Sequence, residues 1–104
     1  MRRLNYGLSD ENFQLIVRSM LLFPEIESAV FFGSRAMGNY KKGSDVDIAI
    51  KGKEVTHKTT SRLHGVLNDG LPLPYFFDVL NYNTIDNNDL IQHIDNEGIE
   101  IYHK

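Results

Sequence analysis

Gly33-Ser34-Arg35-Ala36-Met37-Gly38, followed after a short basic turn by Gly43-Ser44-Asp45-Val46-Asp47, is the stretch around which this chain is organised. A glycine-serine loop lies one turn from two carboxylates spaced i, i+2. Glycine lacks a Cβ, so its backbone can approach an anion closely, and Ser34 offers a hydroxyl and an N–H at the start of a short helix. Arg35 adds a fixed charge that either reaches phosphates or braces the loop. The combination suits a metal-bound polyphosphate and points to phosphoryl or nucleotidyl transfer. A P-loop is excluded: Gly33 and Gly38 have its glycine spacing, but Asn39-Tyr40 stand where Lys-Ser/Thr is required.

Working outward, Ser28-Ala29-Val30-Phe31-Phe32 is a short apolar run that stops at Gly33 and reads as a buried strand. A second strand, Asp45 to Ile50, places Asp45, Asp47 and Ala49 on one face and Val46, Ile48 and Ile50 on the other. A third, Tyr75 to Leu80, carries Asp78 within an apolar run. An unpaired ionised carboxylate there is costly unless a cation or hydrogen bonds compensate it, and a metal shared with Asp45 and Asp47 supplies that compensation. Ser9 or Asp10 caps a helix with Phe13, Ile16, Val17 and Met20 as its apolar stripe. Further helices are expected over Thr56 to Asn68 and Asn88 to about Asn96, and an edge strand over Ile99 to Tyr102. Helices and strands alternate throughout, which predicts an α/β (α+β) fold with a small mixed sheet covered by helices.

At 104 residues the chain is expected to form a single domain, 1–104, with little left over for a second substrate-binding unit. It contains no cysteine, so disulfides and thiolate metal sites are excluded. Met1-Arg2-Arg3-Leu4-Asn5-Tyr6 has no apolar signal core and no run is long enough to span a bilayer, so no membrane association and a cytoplasmic location are expected. The net charge of −3 is unevenly distributed. Residues 1–64 hold ten of the eleven Lys and Arg against seven acids, whereas residues 65–104 hold one Lys against seven acids. The basic part contains the glycine-serine loop, but the domain lacks the broad basic surface of a nucleic-acid binder, so direct nucleic-acid binding is not expected. Oxygen-only ligands favour Mg²⁺ or Mn²⁺ over Zn²⁺. Two Mg²⁺ ions would largely neutralise three carboxylates together with a nucleoside triphosphate.

Gly33-Ser34, ten residues, then Asp45-x-Asp47 resembles the G-S-x10-D-x-D signature of the DNA polymerase β-like nucleotidyltransferase superfamily, with Asp78 where that superfamily places its third carboxylate. The size and layout are similar to the minimal nucleotidyltransferases, or MNT proteins, which are usually paired with a helical HEPN-domain partner. The resemblance implies that Gly33 and Ser34 hold phosphates and that Asp45 and Asp47 ligate two metal ions. Asp78 would complete one metal and help deprotonate the attacking hydroxyl, with Arg35 a further phosphate-binding candidate. It further implies ATP or another nucleoside triphosphate as donor, transfer of AMP to a hydroxyl of an HEPN toxin, and an antitoxin role.

Other readings are weighed beside it. A small hydroxylated acceptor is an alternative, as is a non-catalytic module that neutralises its partner by contact. His57, His64, His93 and His103 have no ligand spacing and are expected at the surface, while Phe31, Phe32, Phe76 and Phe77 are expected in the core. Gly43 and Ser44 read as turn residues, with Ser44 a local cap. Leu15 and Leu22 lie off the apolar stripe of the first helix, which raises the possibility of a protein interface and of homo- or hetero-oligomers.

Overall fold

The structure, a computed structural model, describes residues 6–104. Arg2 and Arg3 lie outside the described residues. Helix α1 (Asp10–Met20) starts at Ser9, whose hydroxyl accepts the Asn12 N–H at 3.1 Å. Strand β1 (Ser28–Phe32) follows, then the one-turn helix α2 (Ser34–Met37) and strand β2 (Val46–Lys51). Helix α3 (His57–Gly65) leads to β3 (Phe77–Asn81), and helix α4 (Asn88–Glu97) to β4 (Ile99–His103). The expected alternation of helices and strands is therefore present.

The four strands form one mixed sheet in the order β3-β2-β1-β4. β1 pairs antiparallel with both β2 and β4, while β2 and β3 run parallel. Every residue of β1 is buried, because it is an inner strand covered on both faces. That position accounts for its continuous apolar run in place of an alternating pattern.

The two faces of the sheet have different cores. Ile16 and Met20 of α1 and Leu63 of α3 pack with Ala29, Phe31, Val46, Ile48, Ile50 and Phe77 on one face. Ile94 of α4 packs with Val30, Phe32 and Ala49 on the other. The period-2 alternation expected for β2 thus separates the cores, and Asp47 lies on the α4 face with Ala49. Phe31, Phe32 and Phe77 are buried as expected, but Phe76 is 53% exposed. It precedes β3, and its ring lies edge-on to His64, centroids 5.9 Å apart. β3 begins two residues later than expected, at Phe77.

α3 departs from the expected single helix. After Gly65 the chain widens into a π-helical turn, Val66–Gly70. This turn carries Asn68 to the outer edge of β3, where its Oδ1 accepts the Phe77 N–H at 2.8 Å and its Nδ2 donates to the Phe77 carbonyl at 3.1 Å. Nδ2 also donates to the His64 carbonyl at 3.0 Å. One side-chain amide therefore pairs with an edge residue as a neighbouring strand would. Asn68→Ala is expected to destabilise the fold by about 1–3 kcal/mol, since it strips the partners from buried Phe77. Urea unfolding checks this, and an unchanged midpoint would count against the clamp.

Candidate nucleotidyl-transfer site

The site forms where β1 ends. In the β1–β2 register Phe32 stands opposite Asp47, so the turn at Gly33 leaves the sheet directly beside that carboxylate. Gly33 has φ 76° and ψ −155°, a region open essentially to glycine alone. A Cβ on Gly33 would also collide with Asp47 Oδ2. Gly33 is thus required for a reason separate from the expected approach to an anion: it makes room for the Asp47 carboxylate. Ser34 then opens α2 and is half-buried.

The three expected carboxylates are brought to one region. Asp78 is the register partner of Asp47 on the parallel neighbour β3, so the two side chains share a face. Asp45 lies immediately before β2 and is exposed. Burial raises the pKa of Asp47 from 3.8 to about 6, with further contributions from the negative charges of Asp78 and Asp45. The costly charge is therefore Asp47 and not Asp78. Asp78 is exposed, because β3 is an edge strand and the sequence run around it is only partly strand. This corrects the expectation that Asp78 is a carboxylate stranded in an apolar interior.

Of the two roles open to Arg35, the structure shows the bracing one. Its side chain is buried, at 3% exposure, with Nε and Nη2 donating to the Ser44 carbonyl at 3.2 and 2.8 Å and Nη1 to the Tyr6 carbonyl at 2.9 Å. The guanidinium also lies 5.2 Å from the Tyr40 ring centroid and 5.0 Å from that of Tyr75. Arg35 braces the loop against the segment that delivers Asp45. Ser44 is a local cap as expected: its hydroxyl accepts the Lys41 N–H at 2.8 Å.

One residue of the site was not foreseen. His93, on α4, is half-buried and its Nε2 accepts the Gly33 N–H at 2.9 Å. Its ring meets Phe32 edge-on at 6.1 Å and it interacts electrostatically with Asp47. The sequence held one cue: His93 lies three residues after Leu90 and next to Ile94, both of which pack on the α4 face of the sheet. His57 and His103 are exposed, as expected, while His64 is half-buried against Phe76.

The donor chemistry fits a hard divalent cation, since three carboxylates share one region and their mutual repulsion is what a cation relieves. No group of three His, Asp or Glu side chains stands at ligating positions among the described residues. A cation would therefore have to draw these carboxylates closer together. No described helix is long and apolar enough to cross a membrane.

Residues 16–104 match the polymerase β nucleotidyltransferase family, and the chain belongs to it. Solved structures with the same fold include a toxin–antitoxin complex with AMP-PNP, at TM-score 0.71 and 19% identity over 93% of this chain and 75% of that one. A second is a tri-AMPylated Shewanella oneidensis HEPN toxin in complex with an MNT antitoxin, at TM-score 0.70 and 17% identity over 93% and 74% of the two chains. Identities this low establish the likeness of fold. A search of curated proteins finds no match.

Two outcomes are expected from this geometry. A raised pKa means that the folded state holds the Asp47 proton more tightly than the unfolded chain does, so this stabilisation is complete below about pH 3.8 and lost as pH rises through about 6. Asp47→Asn is therefore expected to raise stability near neutral pH, by on the order of 1 kcal/mol after allowance for solvent screening of a half-exposed group. The gain should disappear near pH 4; thermal melts at both pH values check this, and equal gains would count against it. Gly33→Ala is expected to lose about 1–3 kcal/mol from its backbone conformation alone, read from urea unfolding.

Proposed function

We propose that this protein is a single nucleotidyltransferase domain, residues 1–104, that transfers AMP from ATP to a hydroxyl of a helical HEPN-type partner and so acts as its antitoxin. The observation that carries this reading is the convergence of the Gly33-Ser34 loop with Asp45, Asp47 and Asp78, in which two of the carboxylates raise the pKa of the third. Likeness of fold to the AMP-PNP-bound and AMPylated toxin–antitoxin complexes supports the setting. Leu21 and Leu22, 68% and 63% exposed at the end of α1, offer an apolar surface for such a partner to cover.

Asp45, Asp47 and Asp78 would hold two Mg²⁺ ions, or Mn²⁺, which when bound offset the charge of the triphosphate against that of the carboxylates. The Gly33 N–H and the Ser34 hydroxyl orient the phosphates. Asp78, exposed on the edge strand, would help take the proton of the acceptor hydroxyl. The acceptor oxygen bonds to the α-phosphorus, the bond to the bridging oxygen breaks, and pyrophosphate leaves. Arg35, through the Ser44 carbonyl, fixes the loop so that Asp45 is placed before any substrate arrives.

The test is transfer of label from α-labelled ATP to the co-purified partner in the presence of Mg²⁺. Replacing both Asp45→Asn and Asp47→Asn is expected to reduce transfer at least about 100-fold. Intact transfer by that variant would remove the metal-site assignment. Partner neutralisation without transfer or nucleotide binding would establish a contact-only module instead.

A further inference from the structure

The Gly33 N–H already has an acceptor. His93 Nε2 lies 2.9 Å from the Gly33 nitrogen, and an accepting Nε2 carries no proton of its own. The imidazole is held there from its own side of the sheet. Ile94, the next residue on α4, is buried against the sheet, and the His93 ring rests edge-on against Phe32. The same imidazole lies near Asp47, and Asp47 Oδ2 stands against the Gly33 Cα, so the ring sits at the junction between the loop and the carboxylates.

An N–H directed at one acceptor at this distance has no second strong hydrogen bond to give. A phosphate oxygen that takes the Gly33 N–H must therefore displace His93 Nε2. We propose that His93 is a residue of the nucleotide site: it occupies the Gly33 donor when no nucleotide is bound, and nucleotide binding displaces it. The inference rests on the assignment of Gly33 to the phosphates made under Proposed function.

The imidazole keeps a backbone donor paired in a loop that only glycine can adopt. In the presence of nucleotide it acts as an intramolecular competitor. Only the fraction of molecules in which the ring has moved away is competent to bind, and apparent affinity falls by that fraction. His93 thereby sets how tightly the triphosphate is held, without contacting the reacting atoms.

The first measurement is NMR of the uniformly ¹⁵N-labelled full chain. A through-hydrogen-bond coupling between the Gly33 amide nitrogen and His93 Nε2 is expected in the free protein and is expected to vanish on saturation with Mg²⁺ and AMP-PNP. The second is calorimetry with the same nucleotide. His93→Ala is expected to bind it about two- to tenfold more tightly, the factor one neutral hydrogen bond contributes, while His93→Gln, which keeps an acceptor at similar reach, stays near the wild-type value. A merely structural role predicts the reverse order, with the alanine variant binding more weakly, and that result overturns the proposal. So does a coupling that persists at saturation, which decides the matter even where the alanine variant fails to fold. If the wild type binds no nucleotide and keeps the coupling, the assignment of Gly33 itself falls, and the displacement with it.

Discussion

The close approach of the Gly33 backbone to the Asp47 carboxylate is the constraint to which the rest of the site is fitted. β1 delivers Phe32 opposite Asp47, and the chain must then leave the sheet without placing any atom where Asp47 Oδ2 stands. Only glycine satisfies both the clearance and the backbone conformation. Because β1 is buried on both faces and paired on both edges, its end point is fixed by the whole core. The loop, α2 and the approach to β2 are then held by Arg35, whose guanidinium ties Ser44 to Tyr6 through backbone carbonyls.

Asp47 is accordingly the carboxylate that carries strain in this fold. Its two acidic neighbours and its partial burial all disfavour its charged form, while the exposed Asp78 contributes mainly by proximity. A protein retains such an arrangement against its own stability where a positive charge is to be received. The opposing tendencies, a carboxylate that destabilises the fold and that the proposed reaction would use, match the usual trade between stability and activity at a site.

Much of this was legible in the chain because it is local. Gly33, Ser34, Asp45 and Asp47 lie within fifteen residues, and the period of a strand is enough to put Asp47 and Ala49 on one face. The alternation of helices and strands gave the layer arrangement for the same reason. What depended on pairing across the chain was read less well. Whether Asp78 was buried depended on β3 being an edge strand, which apolar composition does not reveal. Arg35 was compatible with two roles until the Ser44 and Tyr6 carbonyls were placed around it. His93 lies sixty residues from Gly33, and a lone histidine on a helix has no spacing to announce a partner. The π-helical turn was invisible because its purpose, bringing Asn68 to Phe77, exists only once β3 has docked.

That amide has a consequence for assembly. The outer edge of β3 is where a four-stranded sheet of this kind would accept a fifth strand from another molecule, beginning at the Phe77 N–H and carbonyl. Asn68 takes both groups, so an incoming extended segment finds the first rung of the ladder already occupied. Growth of the sheet is blocked at the rung next to Asp78. Strand addition along this edge would have to begin by displacing the Asn68 amide from Phe77.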